Sequence, residues 1–422
     1  MYKKTTLSNG LRIASCRIAQ MQSVSLGIWV KTGGRYENEK DKGVSHYLEH
    51  LLFKGSKKYS CRKIKETIEG LGGSLNGFTS EELSCFLVKI PGRFLNTALD
   101  ILSDMVINPL LTQEDIDKER SVILEEIKMY KDQPRAYVHD LLDGLLWPNQ
   151  PLGMPIIGFE DTVNNMSRSQ ICGFKEDNYS AANIVVSAAG ILDHQRLSDK
   201  VKALAAKVKP AKENRFLPVK EKQREPQLKI LHKDTEQSHL AMGFHSFKRE
   251  HPLKYALSLL HVILGANMSS RLFNEVREKR GLAYEIGTQV KRLDDTGSFL
   301  VHAGVDNAKV EEALELILRE LARMKSHPVP AAELKRAKDF SIGQLVLALE
   351  DTLEHMLWIG EYTASLNRIE SPDEVIAQLN KVEATGIMRA AREIFDNKKL
   401  NLAAIGPLAG REDSIRAKLA ID

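Results

Sequence analysis

The order of hydrophobic and polar residues divides this chain into short apolar or alternating runs and longer stretches of helical periodicity. One apolar run leads through Trp29, another covers residues 83–90, and a third follows Asn183, and all three are typical of strands. Long amphipathic stretches separate these runs, but they do not alternate one strand with one helix. This arrangement predicts an α+β fold, in which helices pack on one face of a mostly antiparallel sheet.

The strand-like runs of the first half recur in the second half at nearly constant spacing. Residues 22–23 correspond to 237–238, residues 84–88 to 297–301, and residues 183–186 to 401–404, at offsets of 215, 213 and 218. A duplication of about 200 residues therefore predicts two homologous domains. A stretch rich in Lys, Glu and Pro indicates their boundaries: an N-terminal domain over 1–206, a linker over 207–226 and a C-terminal domain over 227–422.

The composition narrows the class of protein without identifying a function. The 422 residues carry 60 basic and 56 acidic side chains, a formal charge of +4, which does not favour nucleic acid or an anionic membrane as a partner. No apolar run has the length of a membrane span, and the first residues lack the apolar core of a signal peptide. Four scattered cysteines without C-x-x-C spacing predict free thiols, so we expect a cytoplasmic protein.

The strongest chemical signal is the run His46-Tyr47-Leu48-Glu49-His50. Two histidines four residues apart share one face of a helix, and Glu49 points into the same space. The alternative is a chance spacing on a solvated helix, but the apolar neighbours indicate burial, where these polar groups are costly without a partner. The order H-x-x-E-H is the inverted form of a zinc-protease motif. The run therefore predicts His46 and His50 as zinc ligands and Glu49 as a base that takes a proton from water.

The duplicated half does not repeat this motif. An offset near 215 places His261 opposite His46, Leu264 opposite Glu49 and Gly265 opposite His50. Only one of the three polar residues therefore has a counterpart. We therefore expect one active site and one zinc ion per chain.

A third protein ligand is expected, because catalytic zinc sites usually combine three side chains with water. The helix predicted over residues 113–131 offers Glu119, Glu125 and Glu126. Glu125 continues a polar stripe that should face water, whereas Glu119 and Glu126, two turns apart, share another face beside the apolar stripe. This favours Glu126 as the ligand and Glu119 as a carboxylate that orients the site, with ordinary surface glutamates as the alternative.

These motifs in this order resemble the pitrilysin/insulinase family of zinc metallopeptidases. The resemblance is greatest to its short branch, which includes the β subunit of the mitochondrial processing peptidase and bacterial homologues. The distal glutamate of the family, 76 residues after the motif, matches Glu126 and decides against Glu125. The resemblance extends from residue 7 to residue 406, and it implies that the two homologous domains form a clamshell around a chamber.

The resemblance also implies roles for residues whose patterns alone are ambiguous. By themselves, residues 277–284 indicate a basic helix end that runs into a strand. By similarity to the family, Arg277 positions the substrate or holds Tyr284, whose hydroxyl would stabilise the tetrahedral oxyanion. Residues 74–79 resemble the sheet edge that pairs with the substrate backbone, which places Asn76 near the substrate, although an ordinary hairpin is the alternative.

We therefore expect a zinc-dependent endopeptidase that hydrolyses extended peptides or unfolded segments in a closed chamber, without a covalent intermediate. By similarity to the short members of the family, we expect a homodimer. One alternative is a non-catalytic core or assembly subunit of the same fold, and the other is an active subunit that requires a degenerate partner. The intact motif favours the enzyme.

Overall fold

The computed structural model describes residues 2–206, 208–210 and 213–421. The strands within these residues are β1 (Tyr2–Thr6), β2 (Arg12–Arg17), β3 (Ser23–Val30), β4 (Ser74–Thr79), β5 (Ser84–Pro91), β6 (Ile184–Gly190), β7 (Gln227–His232), β8 (Gln237–Ser246), β9 (Ala283–Arg292), β10 (Gly297–Asp306) and β11 (Asn401–Gly406).

The α-helices of the first half are α1 (Val44–Leu52), α2 (Cys61–Gly70), α3 (Leu95–Ile107), α4 (Gln113–Lys131), α5 (Pro134–Leu146), α6 (Glu160–Asn165), α7 (Arg168–Asn178) and α8 (His194–Ala205). Those of the second half are α9 (Lys254–Gly265), α10 (Val310–Ser326), α11 (Ala331–Ala348), α12 (Thr352–Leu366), α13 (Pro372–Lys381), α14 (Ala384–Ile394) and α15 (Glu412–Ala417). Among the residues that the structure describes, no helix has both the length and the apolar character needed to cross a bilayer. All four cysteines are free.

Each of two compact units is built on one sheet. The first sheet has the order β1-β2-β6-β3-β5-β4 and the second the order β7-β11-β8-β10-β9. One neighbouring pair in each sheet is parallel, β2 with β6 and β7 with β11, and the remaining pairs are antiparallel. Apart from the additional strand β1, the two orders correspond strand by strand. The predicted α+β class with two homologous, mostly antiparallel sheets is therefore confirmed.

The central strands are buried on both faces, which explains why β6 and β11 read as continuous runs of small and apolar residues. One face of the first sheet packs against α1, α2, α3 and α4, in a core that includes Leu26, Phe86 and Val186. The opposite face carries Trp29, Leu87 and other residues that pack against α12. The sequence predicted helices on one face of the sheet. In the described structure α12 also covers the opposite face of the first sheet.

The two units do not follow the two halves of the chain. Unit 1 comprises Met1–Lys128, Met154–Leu217 and Val346–Ser371, and unit 2 comprises Met129–Gly153, Pro218–Leu345 and Pro372–Asp422. Helix α12 of the second half thus packs on the first sheet, and helix α5 of the first half packs on the second sheet through Val138, Leu142 and neighbouring apolar residues. The predicted domains 1–206 and 227–422 do not include this exchange, because helical periodicity shows which face is apolar but not which sheet covers it.

Close packing of α12 depends on two small residues. A Cβ atom on Gly27 would lie 2.5 Å from the sulfur of Met356, and one on Gly360 would lie 2.1 Å from Nε1 of Trp29. Contacts this short do not occur between real atoms. Gly360 faces the rigid, buried indole of Trp29 and therefore requires glycine, whereas a side chain at position 27 would displace the flexible thioether of Met356.

The segment predicted as a linker, 207–226, contains no helix or strand among its described residues, and residues 207, 211 and 212 lie outside the description. Its first part is attached to unit 1. The backbone N–H of Asn214 donates to Oδ1 of Asn183, and the guanidinium carbon of Arg35 lies 3.6 Å from the ring centre of Phe216. Its second part is attached to unit 2, where Gln223 donates to the carbonyl of Leu400. The segment therefore connects the units through specific contacts.

Candidate metal centre

The helix α1 carries the chemical motif, and a buried ion pair fixes its first turn. The side chains of Glu37 and Lys42 are both fully buried, 3.1 Å apart. The carboxylate of Glu37 accepts the backbone N–H groups of Gly43 at 3.0 Å and Ser45 at 2.7 Å, which have no partner within the helix. Gly43 has a φ of 97°, in the left-handed region that favours glycine. The orientation of α1 is thus set from outside the helix.

Helix α4 lies beside α1 and supplies the second half of the centre. The hydroxyl of Tyr47 donates to the carbonyl oxygen of Ile116, which ties the buried face of α1 to the start of α4. Ile116, Ile123 and Ile127 anchor α4 in the same core as the apolar residues of α1. The apolar stripes of both helices point into this core, so the polar face of α1 and one edge of α4 meet at its rim.

The structure brings His46, His50 and Glu126 together at this rim, with one ligand atom from each residue within 4.8 Å of the others. Oε2 of Glu126 lies 3.9 Å from Nε2 of His46 and 3.6 Å from Nε2 of His50. In a tetrahedral zinc site with bonds near 2.0–2.1 Å, ligand atoms lie about 3.3–3.4 Å apart. Two imidazole nitrogens and one carboxylate oxygen at this spacing fit a zinc ion after small side-chain adjustments.

His50 is oriented by a second carboxylate. Its Nδ1 lies 3.1 Å from Oε2 of Glu119, which is only 5% exposed. A proton on Nδ1 leaves Nε2 free to bind a metal, so this contact selects the tautomer that the site needs. Oε1 of Glu119 also contacts Nζ of Lys54 at 2.6 Å. The predicted orienting role of Glu119 is consistent with this geometry, and Lys54 is an additional member of the chain of contacts.

His46 is held mainly by burial. Its Nδ1 is buried without a hydrogen-bond partner among the described residues. Burial, with a smaller contribution from the neighbouring His50, lowers the pKa of His46 to about 4. The ring is therefore neutral at physiological pH, which is the form that binds a metal.

Glu49 lies next to the cluster, and its two oxygens have different surroundings. The hydroxyl of Thr79, at the end of β4, donates to Oε2 at 2.6 Å. No described residue donates to Oε1, which leaves this oxygen available as a proton acceptor. Burial raises the pKa of Glu49, and the hydrogen bond from Thr79 and the proximity of His50 oppose this rise. The carboxylate thus has the environment of a base with increased proton affinity.

The remaining predicted site residues lie in several places. Glu125 points to solvent and pairs with Lys128 at 2.8 Å, as its polar stripe predicted. Asn76 is exposed on β4, where its own Oδ1 accepts the N–H of Gly77. Its role towards a substrate stays a prediction.

Arg277 and Tyr284 lie close together in unit 2. Arg277 belongs to a π-helical turn, Phe273–Glu278, and its guanidinium carbon lies 4.8 Å from the ring centre of Phe273 and 5.3 Å from that of Tyr284. Tyr284 is 74% exposed, so its hydroxyl is accessible to a ligand. The two side chains are thus neighbours, and the role of the pair in catalysis stays a prediction.

Three functional candidates escaped the sequence analysis: Glu37, Lys54 and Thr79. Lys54 could have been noticed because it follows His50 by four residues, just past the end of α1. Thr79 could have been found from the alternation in β4, where every second residue faces α1. Glu37 has no such signal, since it contacts α1 through backbone N–H groups that any residue supplies, and its pairing with Lys42 follows no helical or strand spacing.

Comparison with known proteins agrees with the family resemblance of the motifs along most of the chain. The profile of the family described as Insulinase (Peptidase family M16) matches residues 12–160, and that described as Peptidase M16 inactive domain matches residues 165–340. The motif and Glu126 lie in the first matched region, and Arg277 and Tyr284 lie in the second.

Two bacterial relatives are similar over nearly their whole length. The chain is 34% identical to an uncharacterized zinc protease of Streptomyces coelicolor, over 98% of this chain and 91% of the relative. It is also 34% identical to the uncharacterized zinc protease YmxG of Bacillus subtilis, over 96% of this chain and 98% of the relative. Among solved structures, a protease from Helicobacter pylori has the same fold, with a TM-score of 0.91 at 23% identity over 96% of this chain and 100% of the other.

Proposed function

The chain belongs to the insulinase family, peptidase family M16, and we propose that it is a zinc-dependent endopeptidase that hydrolyses extended peptides or unfolded segments. The observation that carries this proposal is the convergence of His46, His50 and Glu126 beside Glu49. The two helices that supply these residues are fixed by the core and by the buried pair of Glu37 with Lys42. The site is thus organised before a substrate arrives.

His46, His50 and Glu126 would hold the zinc ion, which supplies a Lewis acid that polarises the scissile carbonyl and acidifies water. Glu49 accepts the proton of the attacking water at Oε1 and later delivers it to the nitrogen of the leaving amine. Glu119 keeps the proton of His50 on Nδ1 throughout. No side chain forms a covalent bond with the substrate in this scheme.

The edge strand β4 supports the choice of extended peptides as substrates. It pairs with β5 on one side, and no described strand pairs with its other side. A peptide that adds to this edge would be held by main-chain hydrogen bonds, and Asn76 would contact it there. Most segments of a folded protein have their main-chain groups already paired, so we expect a preference for unfolded segments.

Arg277 and Tyr284 are proposed to act on the same substrate. The tyrosine hydroxyl would donate to the oxygen of the scissile carbonyl as negative charge develops there, and Arg277 would hold the tyrosine ring in place. Replacement of Tyr284 by Phe should lower kcat with little change in KM, because the lost bond forms in the transition state.

The physiological form is proposed to be a cytoplasmic homodimer. The four free cysteines support a reducing compartment. Sedimentation of the purified chain measures the oligomeric state, and a monomer with full activity would remove the homodimer from the proposal.

The deciding experiment measures zinc content and hydrolysis of a quenched fluorescent peptide for the wild type, Glu49→Gln and Glu125→Gln. We expect about one zinc ion per chain in all three, activity in the wild type and Glu125→Gln, and loss of activity in Glu49→Gln. Zinc without hydrolysis in the wild type would favour a non-catalytic subunit or one that needs a partner chain. A chain without zinc would refute the assigned ligands.

A further inference from the structure

The edge strand β4 contacts α1 and the residue that follows this helix, Phe53, in two places. The first is the 2.6 Å hydrogen bond from the hydroxyl of Thr79 to Oε2 of Glu49. This carboxylate oxygen is the only hydrogen-bond partner of the Thr79 hydroxyl among the described residues. The second is close packing of Phe53 on Gly77, where an added Cβ would lie 3.0 Å from Cζ of the ring. Leu75, Gly77 and Thr79 alternate along the strand and face the same side.

The hydrogen bond restricts the rotation of the Glu49 carboxylate. Helix α1 fixes the backbone of this residue, but the terminal torsion of a glutamate is broad and roughly two-fold. Without a donor, either oxygen could face the position of the water, and the carboxylate would be distributed over several orientations. A bond to Oε2 leaves Oε1 in one place, with no donor from the described residues.

We propose that Thr79 is a positioning residue for catalysis, which fixes the carboxylate of Glu49 and couples its orientation to the strand that receives the peptide. This inference rests on the proposed function. Thr79 is the last residue of β4, opposite Ser84 of β5. A peptide that adds to the outer edge of β4 stiffens the strand, and the hydroxyl transmits this restraint to Glu49. Binding of an extended substrate and alignment of the base thus become one event.

The coupling predicts a distinct kinetic effect. Loss of the hydroxyl leaves the zinc ligands and the backbone of β4 unchanged, so zinc affinity and KM should stay near their wild-type values. The value of kcat should fall roughly tenfold to a hundredfold, which is the range for a hydrogen bond to a charged group. A residue that only supported the fold would instead lower the amount of active protein and the unfolding temperature.

The test compares three variants of the zinc-loaded chain. Thr79→Val removes the hydroxyl and keeps the shape, and Thr79→Ser keeps a donor. Thr5→Val is the matched control, since Thr5 lies on the opposite edge strand of the same sheet and its hydroxyl bonds to His194 at 2.8 Å. Steady-state kinetics, zinc affinity by chelator competition and thermal unfolding are measured for each. A crystal structure of metal-free Thr79→Val gives the orientation of the Glu49 carboxylate independently of activity.

We expect a low kcat for Thr79→Val, recovery to within about threefold of wild type for Thr79→Ser and wild-type kinetics for Thr5→Val. In the crystal we expect the Glu49 carboxylate of Thr79→Val to be rotated or distributed over several orientations. Wild-type kcat in Thr79→Val would overturn the inference, and so would a rise in KM with kcat unchanged or an unmoved carboxylate. These failures differ from failure of the proposed function, in which the wild type itself would not hydrolyse peptides or Glu49→Gln would be as active as the wild type.

Discussion

Replacement of Glu119 by Gln tests how much a carboxylate that touches no metal contributes to zinc binding. The substitution keeps the size of the side chain and removes its negative charge. In the structure this charge faces two groups, Nδ1 of His50 at 3.1 Å and Nζ of Lys54 at 2.6 Å. The amide can still accept one hydrogen bond, so the loss is mainly electrostatic.

The expected size of the effect follows from these contacts. Carboxylates that orient a metal-binding histidine typically change metal affinity 10–100-fold, which corresponds to about 1.4–2.7 kcal/mol. Lys54 already neutralises part of the charge of Glu119, so we expect the lower end of this range, about a tenfold weaker zinc affinity. The side chain of Lys54 is 30% exposed and can turn towards water when it loses its partner. The thermal stability of the metal-free protein should therefore change little.

The assay is competition for zinc against a chromophoric chelator, with Glu125→Gln as the matched control. Glu125 lies on the same helix, but it points to solvent beside Lys128. The control should bind zinc as tightly as the wild type. Unchanged zinc affinity in Glu119→Gln would refute the orienting role, and an equal loss in both variants would show that only the net charge of the helix matters.

Three further predictions concern the metal, a buried ion pair and two histidines outside the centre. A chelator should abolish hydrolysis, and added zinc should restore it; activity that persists without metal would contradict the mechanism. Lys42→Met should destabilise the fold by about 3–5 kcal/mol in denaturant titrations, because it leaves the carboxylate of Glu37 buried without its cation; exposed Lys118→Met should change stability by less than about 0.5 kcal/mol. Burial lowers the pKa of His139 and of His261 to about 4 from 6.5. The unfolded chain therefore binds more protons, so the stability that these residues contribute is present above pH 6.5 and is lost as the pH falls towards 4; His139→Gln should flatten this loss, and an unchanged slope would contradict the assignment.

Local periodicity favoured the candidate site residues that lie on single helices, and the family resemblance decided for Glu126 over Glu125. The spacing of His46 and His50 fixes their common face, and the separation of Glu119 and Glu126 by two turns places both on the side of α4 that faces α1. Glu125 points to solvent for the same reason. The duplicated strand pattern likewise predicted two related sheets, because strands buried on both faces leave a clear apolar signature in the sequence.

The exchange of α5 and α12 between the halves of the chain could not be predicted in the same way. Helix α12 shows an apolar face with Met356 and Ile359, and this face would fit any sheet with small residues at its surface. Its position is decided by the shape of the first sheet, where Gly27 allows Met356 to approach the strand. Such complementarity depends on residues more than 300 positions apart, which no periodicity connects.

The short length of α1 makes the residues around the motif as important as the motif itself. A nine-residue helix is marginal on its own, so its orientation comes from contacts with the rest of the unit. Glu37 holds its first turn, Ile116 accepts from Tyr47 on its buried face, and Thr79 fixes the carboxylate at its active face. Each contact comes from a different part of the chain, and each constrains a different degree of freedom of the helix. The same five motif residues on a helix without these contacts would be placed less accurately, so we expect substitutions outside the motif to lower activity even when the motif itself is retained.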